Sequence, residues 1–445
     1  MINDKIMLLL CFILMPSQIN RFLNKIQLIK IANHWYYLAI CLYFIGLVIV
    51  LPHNSSMDTD YWYRWTDFAL QKGIISAYRL VSDLNYLPVT IYYLMLIGKF
   101  ITTFFGKLND FMYIFKAFFL IFDFLTFLFL TKFLLQSNSK HKVLKLIFLM
   151  GNIALIYNSY FWGQVDAIYT LFLLISIYLA YQKKYFWSLI LFQIALNFKL
   201  QSIMIFPLIA ILNFDLLKDY KKILKIACFA VLLQIVLWFP FIVKGELGRI
   251  TTIINDSNGY FERLSLNAFN FWYLILPENI VSLGSDRTNK FLWINAHYWG
   301  FAMFFSSCGI LLWKTFTKLK NRKFTLGQVY LIAALLNLFF FFFNTEMHER
   351  YSHPAMIFMA AFFVLDGSFL LSGLISFTYF LSLNILLRFF TFQAQIPLLV
   401  NHKFIAWLYL FILIYAIFLL WKSQKILVIK PHPEKISFSK ASHHA

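Results

Sequence analysis

The sequence predicts an all-α polytopic membrane protein with about 12 transmembrane helices, and three observations carry that prediction. Of the 445 residues, 61% are hydrophobic and only 13% are charged. Apolar runs of membrane-spanning length recur along the whole chain. The basic residues behind the formal net charge of +20 sit in short clusters between those runs. Such a charge raises nucleic acid as a partner, but the clusters follow no single polar face, which argues against it. The four cysteines, Cys11, Cys41, Cys228 and Cys308, stand singly in apolar stretches and read as small buried hydrophobes.

Basic residues in short loops mark the cytoplasmic side and thread the chain through the membrane. Arg21, Lys25 and Lys30 belong to a cytoplasmic or interfacial N-terminus, residues 1–32. Its apolar run Ile6 to Met15 is too short to span and has no small-residue cleavage site before Pro16. Later clusters are Lys140, Lys142 and Lys145; Lys183 and Lys184; Lys218, Lys221, Lys222 and Lys225; Lys314, Lys318, Lys320, Arg322 and Lys323; and Lys422 with Lys425. Were residues 88–106 to cross, the Lys142 loop would fall outside, so that segment is expected to dip into or lie on the outer leaflet. The spans are then placed at 33–51, 110–135, 145–161, 166–182, 185–199, 201–214, 222–243, 293–314, 325–343, 353–371, 373–393 and 404–422. Those at 185–199 and 201–214 fall short of the roughly 20 residues of a perpendicular helix, so one or both are expected to be broken or protein-enclosed. Residues 33–372 form the main membrane module, with a large first outer loop at 52–109 and a second at 244–292. Residues 373–422 are supporting helices and 423–445 a cytoplasmic basic tail.

This threading gathers the unusual polar residues on one outer face. The first outer loop carries Asp58-Thr59-Asp60-Tyr61-Trp62 with Trp65, then Asp83-Leu84-Asn85-Tyr86-Leu87-Pro88. Two carboxylates beside aromatic rings suit a general base or a metal, although such a pair also arises by chance on surface loops. Trp162-Gly163-Gln164-Val165-Asp166 joins two spans, and polar groups there are costly unless partnered or wet; Asp166 also suits a helix cap. Lys199, followed by Leu200-Gln201, either snorkels to the interface or pairs with an anion. His348 and Arg350, in Met347-His348-Glu349-Arg350-Tyr351, suit phosphate. A zinc-protease HExxH would need histidine at 352, where Ser352 stands, and no Walker A or GxGxxG sequence occurs. Ser265 to Trp272, including Asn267, is amphipathic enough to lie on the membrane.

Taken together, Asp58-Thr59-Asp60-Tyr61, Asn85-Tyr86-Leu87-Pro88, Trp162-Gly163-Gln164-Val165-Asp166, Lys199-Leu200-Gln201 with Pro207, Ser265 to Trp272, and Met347-His348-Glu349-Arg350-Tyr351 with Pro354 look familiar. The sequence resembles the C-superfamily (GT-C) glycosyltransferases, and within them the bacterial relatives of the second mannosyltransferase of GPI-anchor assembly. A weaker similarity extends to dolichyl-phosphate-glucose-dependent glucosyltransferases. Leu87 departs from the family's usual second proline.

The resemblance implies a GT-C-like membrane enzyme that transfers a hexose from a polyprenyl-phosphate sugar to an acceptor hydroxyl on the non-cytoplasmic face, with inversion. Mannose is favoured over glucose. It implies Asp60 or Asp58 as catalytic base, and Lys199, His348 and Arg350 as holders of the donor phosphate. Tyr61, Trp62, Trp65, Asp83, Trp162, Gln164, Asp166, Gln201, Asn267 and Glu349 are the expected substrate-binding residues. No cofactor is required; whether Asp58 and Asp60 also hold Mg or Mn stays open. Expected partners are the polyprenyl-phosphate-linked sugar, a glycolipid or glycan acceptor and membrane lipids. The expected location is the bacterial inner (plasma) membrane with the site facing the periplasm or exterior, the alternative being the endoplasmic reticulum. A transporter or flippase of a lipid-linked or anionic substrate is the main competing reading, and a non-catalytic envelope scaffold a third.

Overall fold

The computed structural model describes residues 32–257, 259–319 and 324–422. The expected interfacial run at 6–15, the tail 423–445 and the cluster residues Lys320, Arg322 and Lys323 lie outside the described residues. The fold is all-α. Its helices are α1 (Asn33–Ile49), α2 (Met57–Lys72), α3 (Ile74–Leu80), α4 (Pro88–Phe104), α5 (Ile114–Gln136), α6 (Lys142–Gly151), α7 (Asp166–Tyr181), α8 (Tyr185–Phe198), α9 (Phe206–Leu212), α10 (Tyr220–Val243), α11 (Leu247–Asp256), α12 (Phe271–Ile275), α13 (Glu278–Leu283), α14 (Ala296–Leu319), α15 (Leu326–Phe343), α16 (His353–Leu365), α17 (Phe369–Leu387) and α18 (His402–Trp421). Among the described residues the one sheet is a two-residue hairpin, β1 (Lys290–Phe291) with β2 (Ile294–Asn295).

Among the described residues five helices, α5, α10, α15, α17 and α18, are long and apolar enough to cross a membrane. Their starts follow local chemistry. Thr325 and Gln328 form a reciprocal capping box at α15, Ser368 caps α17 and Asn401 caps α18. Proline stands in the first turn of α4, α9 and α16, where its missing N–H costs nothing. The centre of the molecule is α15 packed on α16, both apolar and buried nearly all round. By contrast α10 turns Leu224, Val231, Val236 and Phe239 outward, an exposed apolar surface that suits lipid.

The helix ends collect in two layers. At one end Tyr160 bonds the Val50 carbonyl, Lys116 the Asn54 carbonyl, Thr90 the Phe198 carbonyl and Trp272 the Phe343 carbonyl. At the other, Lys145 reaches Val364, Tyr181 reaches Phe324, Lys183 pairs with Asp215 and Thr325 with Asp366. The basic loops around Lys142 and Lys183 belong to this second layer. Helix α4 packs along α2, and the chain after it returns through Phe111 to Tyr113, whose ring stacks on His53. Both its ends therefore lie in the first layer.

Several expected elements take another form. The first outer loop is largely helical, as α2, α3 and α4, because Ser56 and Thr59 build a capping box at its start. Residues 145–161 are not one helix: α6 stops at Gly151, a 3-10 turn covers Ile153–Leu155 and a π-helical turn covers Tyr157–Trp162. Polar side chains of this broken stretch are satisfied by α17, Asn152 Nδ2 bonding Ser376 and the Tyr157 hydroxyl bonding Asn384. Residues 201–214 are also broken, into a 3-10 segment Leu200–Ile205, α9 and a 3-10 segment Phe214–Lys218, whereas α8 is continuous. The expected boundary at 372 falls inside α17, so residues 373–422 share the core of the main module.

Candidate active site

Helix α2 begins where the backbone of residues 161–163 meets residues 54–62. Ser56 caps α2 through Thr59 N and also donates to the Trp162 carbonyl at 2.6 Å. Trp62 Nε1 donates to the Gly163 carbonyl at 2.7 Å, and Asn54 Nδ2 to the Phe161 carbonyl at 3.4 Å. Gly163 sits at φ +81°, and a Cβ there would stand 2.6 Å from Thr59 Cγ2 and 3.2 Å from Lys116 Cγ. The π-helical turn thus ends in a left-handed step that only glycine fits.

That junction fixes two carboxylates. Trp162 Nε1 donates to Asp58 Oδ2 at 2.5 Å. Asp166, fully buried at the start of α7, takes Asn158 Nδ2 at 2.9 Å on one oxygen and forms an ion pair with Lys199 through the other. Lys199 follows α8 in extended backbone, 5% exposed, with its ammonium over the Tyr169 and Tyr351 rings at 5.5 and 5.0 Å. The bend at Lys199 explains why the helices on either side of it are short.

Arg350 joins the pieces. It donates to Glu349 Oε1 at 2.9 Å and lies 3.9 Å from Asp58 Oδ1 and 4.0 Å from Asp166 Oδ2. Three carboxylates, Asp58, Asp166 and Glu349, therefore surround two cations, Lys199 and Arg350. Segments far apart in the chain supply them, and such a concentration of poorly solvated charge is unusual outside functional sites. Burial raises the Glu349 carboxyl above its usual range, with Arg350 pulling the other way. Burial, then the Arg350 and Lys199 charges, hold the His348 imidazole well below the usual histidine range. The imidazole thus favours its neutral form, which can offer an anion a hydrogen bond but not a positive charge.

The expected site residues divide into three sets. Asp58, Trp162, Asp166, Lys199, Glu349 and Arg350 are brought together, with His348 at the edge against Tyr351 and Phe261 and Gln201 bonded to Tyr351. Gln164 is fully buried beside them, and neither amide atom has a partner. A second set stays apart. Asp60 is exposed, two residues along α2 from Asp58 and therefore about 200° round the helix. Asp83 pairs with Arg64 at 2.8 Å and Trp65 Nε1 at 3.1 Å, while Tyr61 packs against Arg64 and Trp65. Asn267 is exposed at φ +62° in a strand-like bridge to His348. Finally, Trp62 and Trp65 are buried core rings that leave no face for a sugar.

The structure adds residues the sequence reading passed over. Lys116 anchors residues 52–54 from α5, through the Asn54 carbonyl at 2.6 Å and side chain at 2.8 Å. Below the cluster, His353 bonds Tyr379 and Ser352 bonds Tyr409, so α17 and α18 hold the 349–353 turn from beneath. A hydrophobic helix whose tyrosine hydroxyls have no local partner is the sequence signal for such a support. The roughly 400 Å³ groove lined by Phe148, Asn152, Ser376 and Phe380 contains none of the cluster residues.

Comparison with protein-family models and with curated proteins gives no match.

Proposed function

We propose that the chain is a GT-C-type glycosyltransferase, moving a hexose, mannose before glucose, from a polyprenyl-phosphate carrier to an acceptor hydroxyl with inversion. The observation that carries this reading is the meeting of Asp58 with Arg350 and Lys199. A sugar phosphate already has a good leaving group, so the reaction needs a base for the acceptor proton and cations for the departing phosphate. In this reading the acceptor oxygen attacks the anomeric carbon and its proton passes to Asp58. The bond to the phosphate oxygen breaks with its electron pair, and the polyprenyl phosphate stays against Arg350 and Lys199. Attack opposite the leaving group inverts the anomeric centre. Trp162 Nε1 holds the Asp58 carboxylate in place, and Asp166 and Glu349 position the two cations. Asp58, inside the cluster, is a better base than exposed Asp60.

The layout of about twelve spans is supported by alternation between the two layers. Helices α1, α8, α10, α15 and α17 and residues 142–162 run toward the site; α5, α7, α14, α16 and α18 and residues 200–218 run away from it. With basic loops in the opposite layer, the site faces the periplasm or exterior of a bacterial inner membrane. A transporter of a lipid-linked or anionic substrate is the second reading, favoured by the breaks at 152–162 and 200–205, since discontinuous helices line transport sites.

The test is transfer of radiolabelled sugar from polyprenyl-phosphate-mannose, with the glucose donor in parallel, by purified protein in host membrane lipids. Transfer lost in Asp58→Asn and kept in Asp60→Asn is the expected result. A folded wild type that transfers from neither donor, with native acceptor lipids present, moves the assignment to another donor sugar or to the transporter.

A further inference from the structure

Asp286, His297 and Glu346 lie outside the cluster described above, with Glu346 two residues before His348 in the chain. Their ligand-type atoms all fall within 4.8 Å of one another. Asp286 Oδ2 is 2.9 Å from His297 Nδ1, and Glu346 Oε1 is 3.7 Å from the same nitrogen. Ligand atoms next to each other around an ion with bonds of about 2.1 Å stand roughly 3.0–3.4 Å apart. The two distances to His297 Nδ1 are near coordination spacing, and bringing all three groups to it needs up to about 1.8 Å of closure.

A second observation points to a ligand. Asp286 is fully buried, yet its Oδ1 accepts no hydrogen bond, and neither does Glu346 Oε1. Arg287 is the nearest cation, with Nε 3.8 Å from Asp286 Oδ1 and a terminal nitrogen 3.6 Å from Glu346 Oε1. These are beyond hydrogen-bond reach, and Arg287 Nε is itself without an acceptor. Two buried carboxylate oxygens without hydrogen bonds are an expensive arrangement that an ion would relieve. His297 Nδ1 is at hydrogen-bond distance from Asp286 Oδ2, a contact that an ion bound at this nitrogen would replace. The surroundings are those of a built site. Thr345 Oγ1 donates to Asp286 Oδ2 at 2.6 Å and Gly259 N to Glu346 Oε2 at 2.9 Å, orienting both carboxylates and leaving the other oxygen of each free.

We propose that Asp286, His297 and Glu346 bind one divalent transition-metal ion, of zinc or manganese type. The donor set, one imidazole and two carboxylates, suits those ions better than calcium or magnesium, which favour oxygen alone. His297 coordinates through Nδ1. The ion ties the segment after α15 to both flanks of the β1–β2 hairpin, and so fixes the chain two residues before His348. This site is separate from Asp58 and Asp60, and its existence does not rest on the transfer reaction.

The full-length chain, purified with chelator and then titrated with Mn²⁺, reads the proposal by electron paramagnetic resonance, with Zn²⁺ content by elemental analysis. One ion per chain is expected in wild type and in Asp58→Asn/Asp60→Asn. His297→Asn and Asp286→Asn/Glu346→Gln should bind at least about tenfold more weakly. Thermal unfolding of chelated wild type supplies a readout that needs no variant: Zn²⁺ or Mn²⁺ should raise its midpoint and Mg²⁺ should not. Wild-type binding no tighter than that of the Asp286→Asn/Glu346→Gln chain overturns the site. So does loss of the ion in Asp58→Asn/Asp60→Asn, or an unfolding midpoint that neither metal moves.

Discussion

Asp58 and Asp60 differ by two positions and about half a helical turn, which is enough to put one carboxylate against Arg350 and the other in solvent. Asp58→Asn is therefore expected to lower kcat by about 10²- to 10⁴-fold, the usual worth of a general base, and Asp60→Asn to leave it near wild type. Radiolabel transfer at saturating donor checks both. The buried Asp166–Lys199 pair makes a different prediction. Asp166→Asn strands the ammonium and should cost about 3 to 5 kcal/mol in denaturant unfolding, and Asp166→Asn/Lys199→Met should recover most of it. His348 supplies a third. Its folded-state pKa lies well below the ordinary 6.5, so as pH falls through about 6.5 the unfolded chain takes up a proton and the folded chain does not. That part of the stability is present above pH 6.5 and lost below it, and His348→Gln should flatten the dependence in melting curves. The members of the cluster were legible because aspartate, lysine and arginine stand out in apolar sequence. Which aspartate faces inward was not, since it depends on α2 being helical, for which Ser56-x-x-Thr59 was the available signal.

At the scale of the element, the turn Tyr157–Trp162 positions the site by giving up α-helical spacing. Its exit at Gly163 admits no side chain, because the Thr59 methyl cannot swing away while Thr59 Oγ1 receives the Ser56 amide at 2.7 Å. Gly163→Ala is expected to cost about 1 to 3 kcal/mol for the left-handed backbone, and more for the contact. It should also lower kcat by displacing Trp162 from Asp58. Unfolding and transfer measured on the same preparation separate the two effects. Hydropathy could not have revealed this turn, because residues 145–161 are as apolar as a straight span. The break at 200–205 was anticipated because a length deficit is visible in sequence, whereas a change of helical pitch is not.

Across the whole molecule, the alternation of helices between two layers separates the charge cluster from the basic loops. Helix α7 alone, 16 residues long, places Lys183 about 24 Å from Asp166. Cysteines at Asp60 and Asn267 should therefore react with an impermeant reagent from one side of sealed vesicles, and a cysteine at Lys184 from the other. Labelling of all three from one side would break the threading. The clustering of basic residues between apolar runs made the two layers legible, and it is also why residues 88–106 are expected not to cross. The supporting role of α17 and α18 was hidden, because the bonds by which Tyr379, Asn384 and Tyr409 hold the site side of the molecule reach partners more than twenty residues away. The interrupted segment 142–162 carries a consequence for biogenesis. Lipid offers nothing to a polar side chain in an apolar segment, and the Asn152 and Tyr157 side chains are satisfied by Ser376 and Asn384. A ribosome still translating α16 has not yet made either residue. The segment must then wait at the translocon, shielded by earlier helices or a chaperone, until α17 emerges. A nascent chain that stops short of residue 369 is thus left with an uncompleted span, and degradation rather than storage is its expected fate.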